Sequence, residues 1–212
     1  MPSPPQIPTL PSLYAAARLT PVPRPLFPPS PSINAKISLH QGSIVSVSTA
    51  AIVNAANTSL LGGGGVDGAI HSAAGPGLQR ECAALHGCPT GSAKITGAHN
   101  LPCQKVIHAV GPNYHRLGHA EAEEALRGCY RRSLELAAEN ACRSVAFSAI
   151  STGIYGYPAA EAAKVALGTT REFLGGPDGA KLDRVVFVLF ESKDVEAYRD
   201  AVPLFFPPAE TQ

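Results

Sequence analysis

Asn54-Ala55-Ala56-Asn57-Thr58-Ser59-Leu60-Leu61-Gly62-Gly63-Gly64-Gly65-Val66-Asp67-Gly68-Ala69-Ile70-His71 is the stretch whose reading decides the fold. Just before it, the apolar run from Ala50 to Val53 reads as a buried strand. After the glycines, apolar residues stand at Val66, Ala69, Ile70, Ala73 and Ala74, which is a helical spacing. Gly75-Pro76 then supplies a helix stop, with glycine just past the end and proline beyond it. A strand therefore feeds a glycine-rich loop into a helix N-terminus. Such an end offers unpaired N–H groups and a partial positive charge, both suited to phosphate. Glycine lets the backbone approach a ligand with no Cβ in the way. Asp67 and His71 are four residues apart and share one face of the first helical turns, so a carboxylate and an imidazole lie beside the anion.

Two other readings of the glycines fit less well. Gly63 to Gly68 formally matches G-x-G-x-x-G, but that dinucleotide fingerprint follows its strand directly, whereas Asn54 to Leu61 intervene here. The chain has no Gly-Lys-Ser/Thr, which excludes a P-loop. A mobile linker is at odds with the capped helix that follows and with the apolar Leu60-Leu61 before it.

At 212 residues the chain is long enough for one domain with an appendage. Seventeen basic residues against sixteen acidic give a net charge of +1, so bulk charge draws the protein neither to nucleic acid nor to a membrane surface. No apolar run reaches the ~18 residues of a membrane span. Cys82, Cys88, Cys103, Cys129 and Cys142 form an odd set with no C-x-x-C pair, which points to reduced thiols and an intracellular setting, cytoplasmic or nuclear. Cys82, His86 and Cys88 lie close together but fit no standard zinc spacing, so no metal is expected.

Residues 1–34 hold eleven of the twenty prolines and no acidic residue. Pro21 to Pro31 should be extended or irregular. Thr9 to Leu19 reads as a short helix capped by Thr9, with Leu10, Leu13, Tyr14 and Ala17 on one face. Arg18, Arg24 and the serines give this segment a faint transit-peptide character that the prolines oppose. Residues 35–205 are expected to form the main domain and 206–212 a tail.

Further along, Lys36–His40, Ala93–Ala98, Lys105–Val110, Ser144–Ile150 and Asp183–Phe190 read as strands. Gly77–Leu85, Glu121–Glu139, Pro158–Leu174 and Lys193–Ala201 read as helices. His108 falls mid-strand as a packed core histidine, and His115 and His119 lie in or near a loop without a visible partner. Strands alternating with helices predict a three-layer α/β/α sandwich with a mixed, mainly parallel central sheet. In such sheets ligands sit at the carboxyl ends of the strands. Asn54–Gly65 and Ser151–Tyr157 both begin at such ends and can face one another across one cleft.

The second loop, Ser151-Thr152-Gly153-Ile154-Tyr155-Gly156, can hold a second phosphate, so the pair suggests a pyrophosphate. Asn57 can bind ribose hydroxyls, and Asn54 can do the same or brace the loop. Neither asparagine can be a general base; Asp67 can, if a water is in reach, with N-capping as its structural alternative. His71 either orients Asp67, relays a proton or packs.

These residues also resemble a family. The run from Asn54 to Gly75, followed by Glu81-Cys82, Gly87-Cys88-Pro89-Thr90-Gly91, Val106-Ile107-His108-Ala109-Val110-Gly111-Pro112 and Ile150-Ser151-Thr152-Gly153-Ile154-Tyr155-Gly156-Tyr157-Pro158, is similar to the MacroD-type macrodomains over roughly residues 36–200. The resemblance implies a monomeric ADP-ribose-binding hydrolase that acts on ADP-ribosylated proteins or O-acetyl-ADP-ribose and needs no cofactor. It implies catalytic roles for Asn57, Asp67 and His71. It implies a binding site made of Ser43, Ile44, Asn54, Gly63, Gly64, Gly65, Val66, Ser151, Thr152, Gly153, Ile154 and Tyr155, with Tyr155 against the distal ribose. It also implies a helix near the N-terminus packed on the domain. At Ser43 the family carries an Asp that accepts from the adenine amino group; serine can still accept, but it is shorter and uncharged. A non-catalytic ADP-ribose reader and an ADP-ribose 1″-phosphate phosphatase are the alternatives.

Overall fold

The computed structural model describes residue 3 and residues 6–209. In chain order the elements are helices α1 (Leu10–Ala15) and α2 (Pro31–Asn34), strand β1 (Ile37–Gln41), a 3-10 turn (Ile44–Ser46), β2 (Ala51–Ala56), α3 (Gly65–Ala74) and α4 (Pro76–Ala84). Then come β3 (Ala93–Gly97), β4 (Lys105–Val110), α5 (His119–Glu139), β5 (Ser144–Ser148), α6 (Ala159–Gly175), a second 3-10 turn (Gly179–Lys181), β6 (Arg184–Leu189) and α7 (Ser192–Phe205). The strands form a six-stranded sheet in the order β1-β6-β5-β2-β4-β3. Every neighbouring pair is parallel except β3 with β4. The architecture is the α/β sandwich with a mainly parallel sheet that the element pattern predicted.

The inner strands β2, β4, β5 and β6 are largely apolar on both faces because both faces are covered, whereas the edge strands β1 and β3 carry polar residues such as His40, Gln41 and Lys94. On one face, Phe147 and Phe187 stack at 5.9 Å, flanked by Tyr130 of α5 and Tyr198 of α7, whose hydroxyls meet at 3.3 Å. On the other, Ile52 and Val106 pack with Ile70, Leu78 and Cys82 from α3 and α4. The N-terminal segment lies along the outer edge of the sheet. Thr9 bridges Ser38 of β1 in antiparallel sense, and Leu10 and Leu13 are buried. Such cover blunts an edge strand that would otherwise offer unpaired backbone groups. Tyr14 Oη donates to Phe206 O at 3.0 Å and Asn34 Nδ2 to Pro207 O at 2.7 Å, which ties this segment to the end of α7.

Several boundaries differ from the sequence reading. Strand β2 continues through Asn54 to Ala56, because Asn54 sits opposite His108 on β4 and pairs with it instead of leaving the sheet. Helix α7 runs past Ala201 to Phe205 with Pro203 inside it. Proline there removes one N–H in the last turn, while Val202, Phe205 and Phe206 are buried in the core. In α1, Thr9 makes no side-chain cap hydrogen bond, and Ala17 is exposed at φ +52°, beyond the helix. His119 has a partner after all: its Nε2 lies 3.0 Å from Glu161 Oε2.

Candidate active site

The sheet order sets the order of the site. Along its carboxyl edge the loops after β1, β6, β5, β2 and β4 follow one another. They bring Ser43, then Phe190, then Ser151–Tyr155, then Asn57–Asp67, then Gly111 to a single cleft of about 820 Å³. That size suits a dinucleotide-like ligand. An exposed aromatic stands at one end, a carboxylate at the other, and two backbone loops between.

At the carboxylate end, Asp67 stands in the first turn of α3 and is only 3% exposed. It does not cap its helix, whose N-cap is Gly64. Its Oδ1 accepts from Asn54 Nδ2 at 2.7 Å, and its Oδ2 is buried at the cleft wall without a hydrogen-bond partner. A β-carbon on Gly63 would meet Asp67 Oδ2 at 3.1 Å and Asn57 Nδ2 at 3.3 Å, so these two polar atoms flank the same bare Cα. Asn57 also shapes the loop. Its Oδ1 accepts from Ser59 N and Ser59 Oγ at 3.0 and 2.6 Å, and its Nδ2 donates to Gly62 O at 2.9 Å.

Of the expected site residues, Asn54 and His71 do not line the cleft. Asn54 is fully buried in β2 and touches Asp67 rather than ligand space, so bracing is its role, and the binding contact read from sequence is corrected. The reason is the alternation of β2, which points residue 54 at the helix layer together with Ile52 and Ala56. His71 lies one turn behind Asp67, its Nε2 3.5 Å from Oδ1 and its ring against Gly62. It can orient the carboxylate but does not reach the cleft.

In the middle, the β5–α6 loop turns on Ser151, which takes a left-handed φ of +67°. Gly156 N–H and Tyr157 N–H close this turn on Gly153 O and Ser151 O. The N–H groups of Thr152 to Tyr155 find no main-chain acceptor among the described residues. The Ser151 hydroxyl, buried and lining the cleft, has no hydrogen-bond partner. Opposite stands the N-terminus of α3 at Gly64-Gly65, whose first N–H groups are free by construction. A β-carbon on Gly64 would lie 3.5 Å from Ile154 Cδ1, so the two loops meet over the cleft. This is a cradle of backbone donors for a doubly charged group.

At the far end, Ile44, Val188 and Ser43 line the wall, and Phe190 is 77% exposed beside them. Phe190 was read as the last residue of a buried strand. Instead β6 stops at Leu189, whose carbonyl accepts from Gly42 N at 3.1 Å, and the ring turns out to the cleft. Lys193 Nζ donates to Thr152 O at 2.8 Å and pairs with Glu191, which ties α7 to the β5–α6 loop. Asp194 is buried beside it, and burial raises its carboxyl above the ordinary range against the pull of the Thr152 hydroxyl and Lys193. Nothing in the sequence distinguished Phe190, Lys193 or Asp194 from strand and helix residues; only the sheet order brings them here.

Cys82 does not associate with His86 and Cys88. It meets His71 and His108, the three ligand atoms lying within 4.8 Å of one another. Burial pushes the Cys82 thiol up to about 11 and holds the His108 imidazole down to about 4. His108 Nε2 is taken by Thr96 Oγ1 at 2.9 Å, so as folded the group is a packed, hydrogen-bonded cluster. No helix among the described residues is long and apolar enough to cross a membrane.

An α/β sandwich with two facing backbone loops, an exposed aromatic at one end of the cleft and a buried carboxylate at the other is the architecture of a macrodomain. The chain belongs to the macro domain family, in its MacroD-type group: the family model named "Macro domain" matches residues 53–166. The macro domain-containing protein CT2219 of Chlorobaculum tepidum is 53% identical over 169 residues, which are 80% of this chain and 96% of that protein. The ADP-ribose glycohydrolase MACROD1 of Bos taurus is 48% identical over 89% of this chain, which spans 58% of that relative's length. Among solved structures, the GDAP2 macro domain superposes with a TM-score of 0.88 at 33% identity, covering 99% of this chain and 98% of that one. The Trypanosoma brucei macrodomain in complex with ADP-ribose gives a TM-score of 0.76 at 42% identity, covering 90% and 82%.

Proposed function

We propose that this protein binds ADP-ribose and hydrolyses its ester link to acidic protein side chains, and that it cleaves O-acetyl-ADP-ribose in the same way. One observation carries the reading. Asp67 lines the cleft with one oxygen locked by Asn54 and the other unpartnered beside the bare Cα of Gly63, an acceptor left over for a water that a general base would activate. The names of the relatives and the ADP-ribose in a neighbouring structure support it.

The order of groups along the cleft supports one pose. Adenine stacks on Phe190 with Ile44 beneath and Ser43 at its edge. The diphosphate takes the N–H groups of the β5–α6 loop and of the α3 N-terminus. The distal ribose then lies between Tyr155 and Asn57, with its ester next to Asp67. Water attacks the ester carbonyl while Asp67 Oδ2 accepts its proton; the C–O bond to the ribose breaks, the acid is released, and Asp67 returns the proton to the ribose oxygen. The bound geometry supplies most of the acceleration, because the ester is labile and the reacting atoms are held together. Five buried, unpaired cysteines support an intracellular setting for this work.

The test is a time course on a glutamate-ADP-ribosylated protein. Release of ADP-ribose with a free glutamate is expected. Label that stays on the acceptor while ADP-ribose binds would make this a reader, and free phosphate from ADP-ribose 1″-phosphate would make it a phosphatase.

A further inference from the structure

Behind Asp67 a chain of buried polar groups runs across three strands. Asn54 and His108 face each other in the β2–β4 register, and Thr96 stands on β3 beside them. All are at most 3% exposed. Asn54 Nδ2 lies 2.7 Å from Asp67 Oδ1 and 3.2 Å from His108 Nδ1. His108 Nε2 lies 2.9 Å from Thr96 Oγ1, which is 3.0 Å from Gly97 O.

The direction of every proton in this chain follows from its ends. An amide oxygen turned to Asp67 would set two acceptors against each other, so the nitrogen of Asn54 must face the carboxylate. The same NH2 group then meets His108 Nδ1, which has to be the acceptor, so the ring proton sits on Nε2. That proton goes to Thr96 Oγ1, and the Thr96 hydroxyl donates to a backbone carbonyl that cannot turn. The two ends therefore agree: with the Thr96 hydroxyl donating to Gly97 O, its oxygen accepts from Nε2–H, the same tautomer that the Asp67–Asn54 bond requires, and the held amide in turn holds the rotation of Asp67. Asn54 alone would not suffice, because its Oδ1 has no hydrogen-bond partner to hold the amide plane.

We infer that His108 is a positioning residue for Asp67, acting through Asn54 to keep Oδ2 aimed into the cleft. The inference rests on the reading of Asp67 as base. Packing by itself would ask only for an apolar side chain of similar size at 108. The relay asks for an acceptor toward β2 and a donor toward β3.

Steady-state hydrolysis of a glutamate-ADP-ribosylated protein, with calorimetry of ADP-ribose, separates the two. His108→Leu should lower kcat roughly tenfold or more and leave the ADP-ribose Kd within about twofold, as a lost orienting hydrogen bond implies. His108→Gln, whose amide oxygen can accept from Asn54 and whose NH2 can donate to Thr96, should restore kcat to within about threefold. Thr96→Val, which removes the nearer acceptor for Nε2–H and leaves only the weaker Cys82 Sγ at 3.5 Å, should lower kcat at unchanged Kd; it carries the test if His108→Leu does not fold. Wild-type kcat in His108→Leu or in Thr96→Val, or equal losses in the Leu and Gln variants, would overturn the relay alone. A wild-type protein that releases nothing, or an Asp67→Asn variant that releases as fast as wild type, would overturn the base and the relay together.

Discussion

Replacing Gly68 by alanine sets two effects of opposite sign against each other. Gly68 lies in the first turns of α3, where an alanine would ordinarily stabilise by about 1 kcal/mol. Here the added Cβ would stand 2.6 Å from the carbonyl oxygen of Gly63. Real β-carbons essentially never come within 3.0 Å of such an atom, so the oxygen, fixed in backbone, must retreat by several tenths of an ångström. Overpacking of this kind costs about 1–3 kcal/mol, which exceeds the propensity gain, so a net loss of about 1 kcal/mol is expected. The displaced residue flanks both Asp67 Oδ2 and Asn57 Nδ2, so the carboxylate end of the cleft moves with it. Urea unfolding should show a lower midpoint at unchanged slope, and calorimetry a several-fold weaker ADP-ribose Kd. A raised midpoint with wild-type affinity would show that propensity wins and that α3 does not support the loop as argued.

Phe190→Ala should weaken ADP-ribose binding roughly tenfold, the worth of one base–aromatic stack, while stability changes by less than about 0.5 kcal/mol because the ring is exposed; calorimetry and a thermal melt read the two. Leu10→Ala should cost about 2–5 kcal/mol in urea unfolding, since Leu10 is fully buried and α1 belongs to the core. His108 titrates near 6.5 in the unfolded chain and about 4 in the fold, so the unfolded state binds its proton first. Its contribution is complete above pH 6.5 and declines as pH falls toward 4, by about 3 kcal/mol in all. His108→Gln should flatten the stability-against-pH curve across that window.

What the sequence disclosed was whatever local pattern encodes. The 3.6 spacing from Val66 to Ala74, closed by Gly75 at φ +78°, is α3 almost residue for residue. The apolar run in Val185–Leu189 is a strand buried on both faces. Less legible was anything settled by a partner far along the chain. Asn54 reads as a loop residue because it is polar, yet it completes a strand, since His108 and Asp67 satisfy it inside the sandwich. The last helix reads as ending at Ala201, yet the burial of Phe205 and Phe206 carries it through Pro203. Phe190 follows a hydrophobic run and reads as core, whereas β6 ends one residue earlier and releases the ring to the cleft. The loops and the carboxylate that line the cleft were thus visible, because glycine runs and a helical Asp/His spacing are local. The exposed Phe190 and the bracing network were not, because only the order β1-β6-β5-β2-β4 assembles them.

The most direct test of the central claim is single-turnover release of ADP-ribose from a glutamate-modified protein by wild type and by Asp67→Asn, with ADP-ribose affinity measured alongside. The amide keeps the size of the side chain and an oxygen for Asn54, but it cannot take a proton from water. Release should slow by about a hundredfold or more while the Kd stays within about threefold. Undiminished release by Asp67→Asn with wild-type affinity would contradict the account.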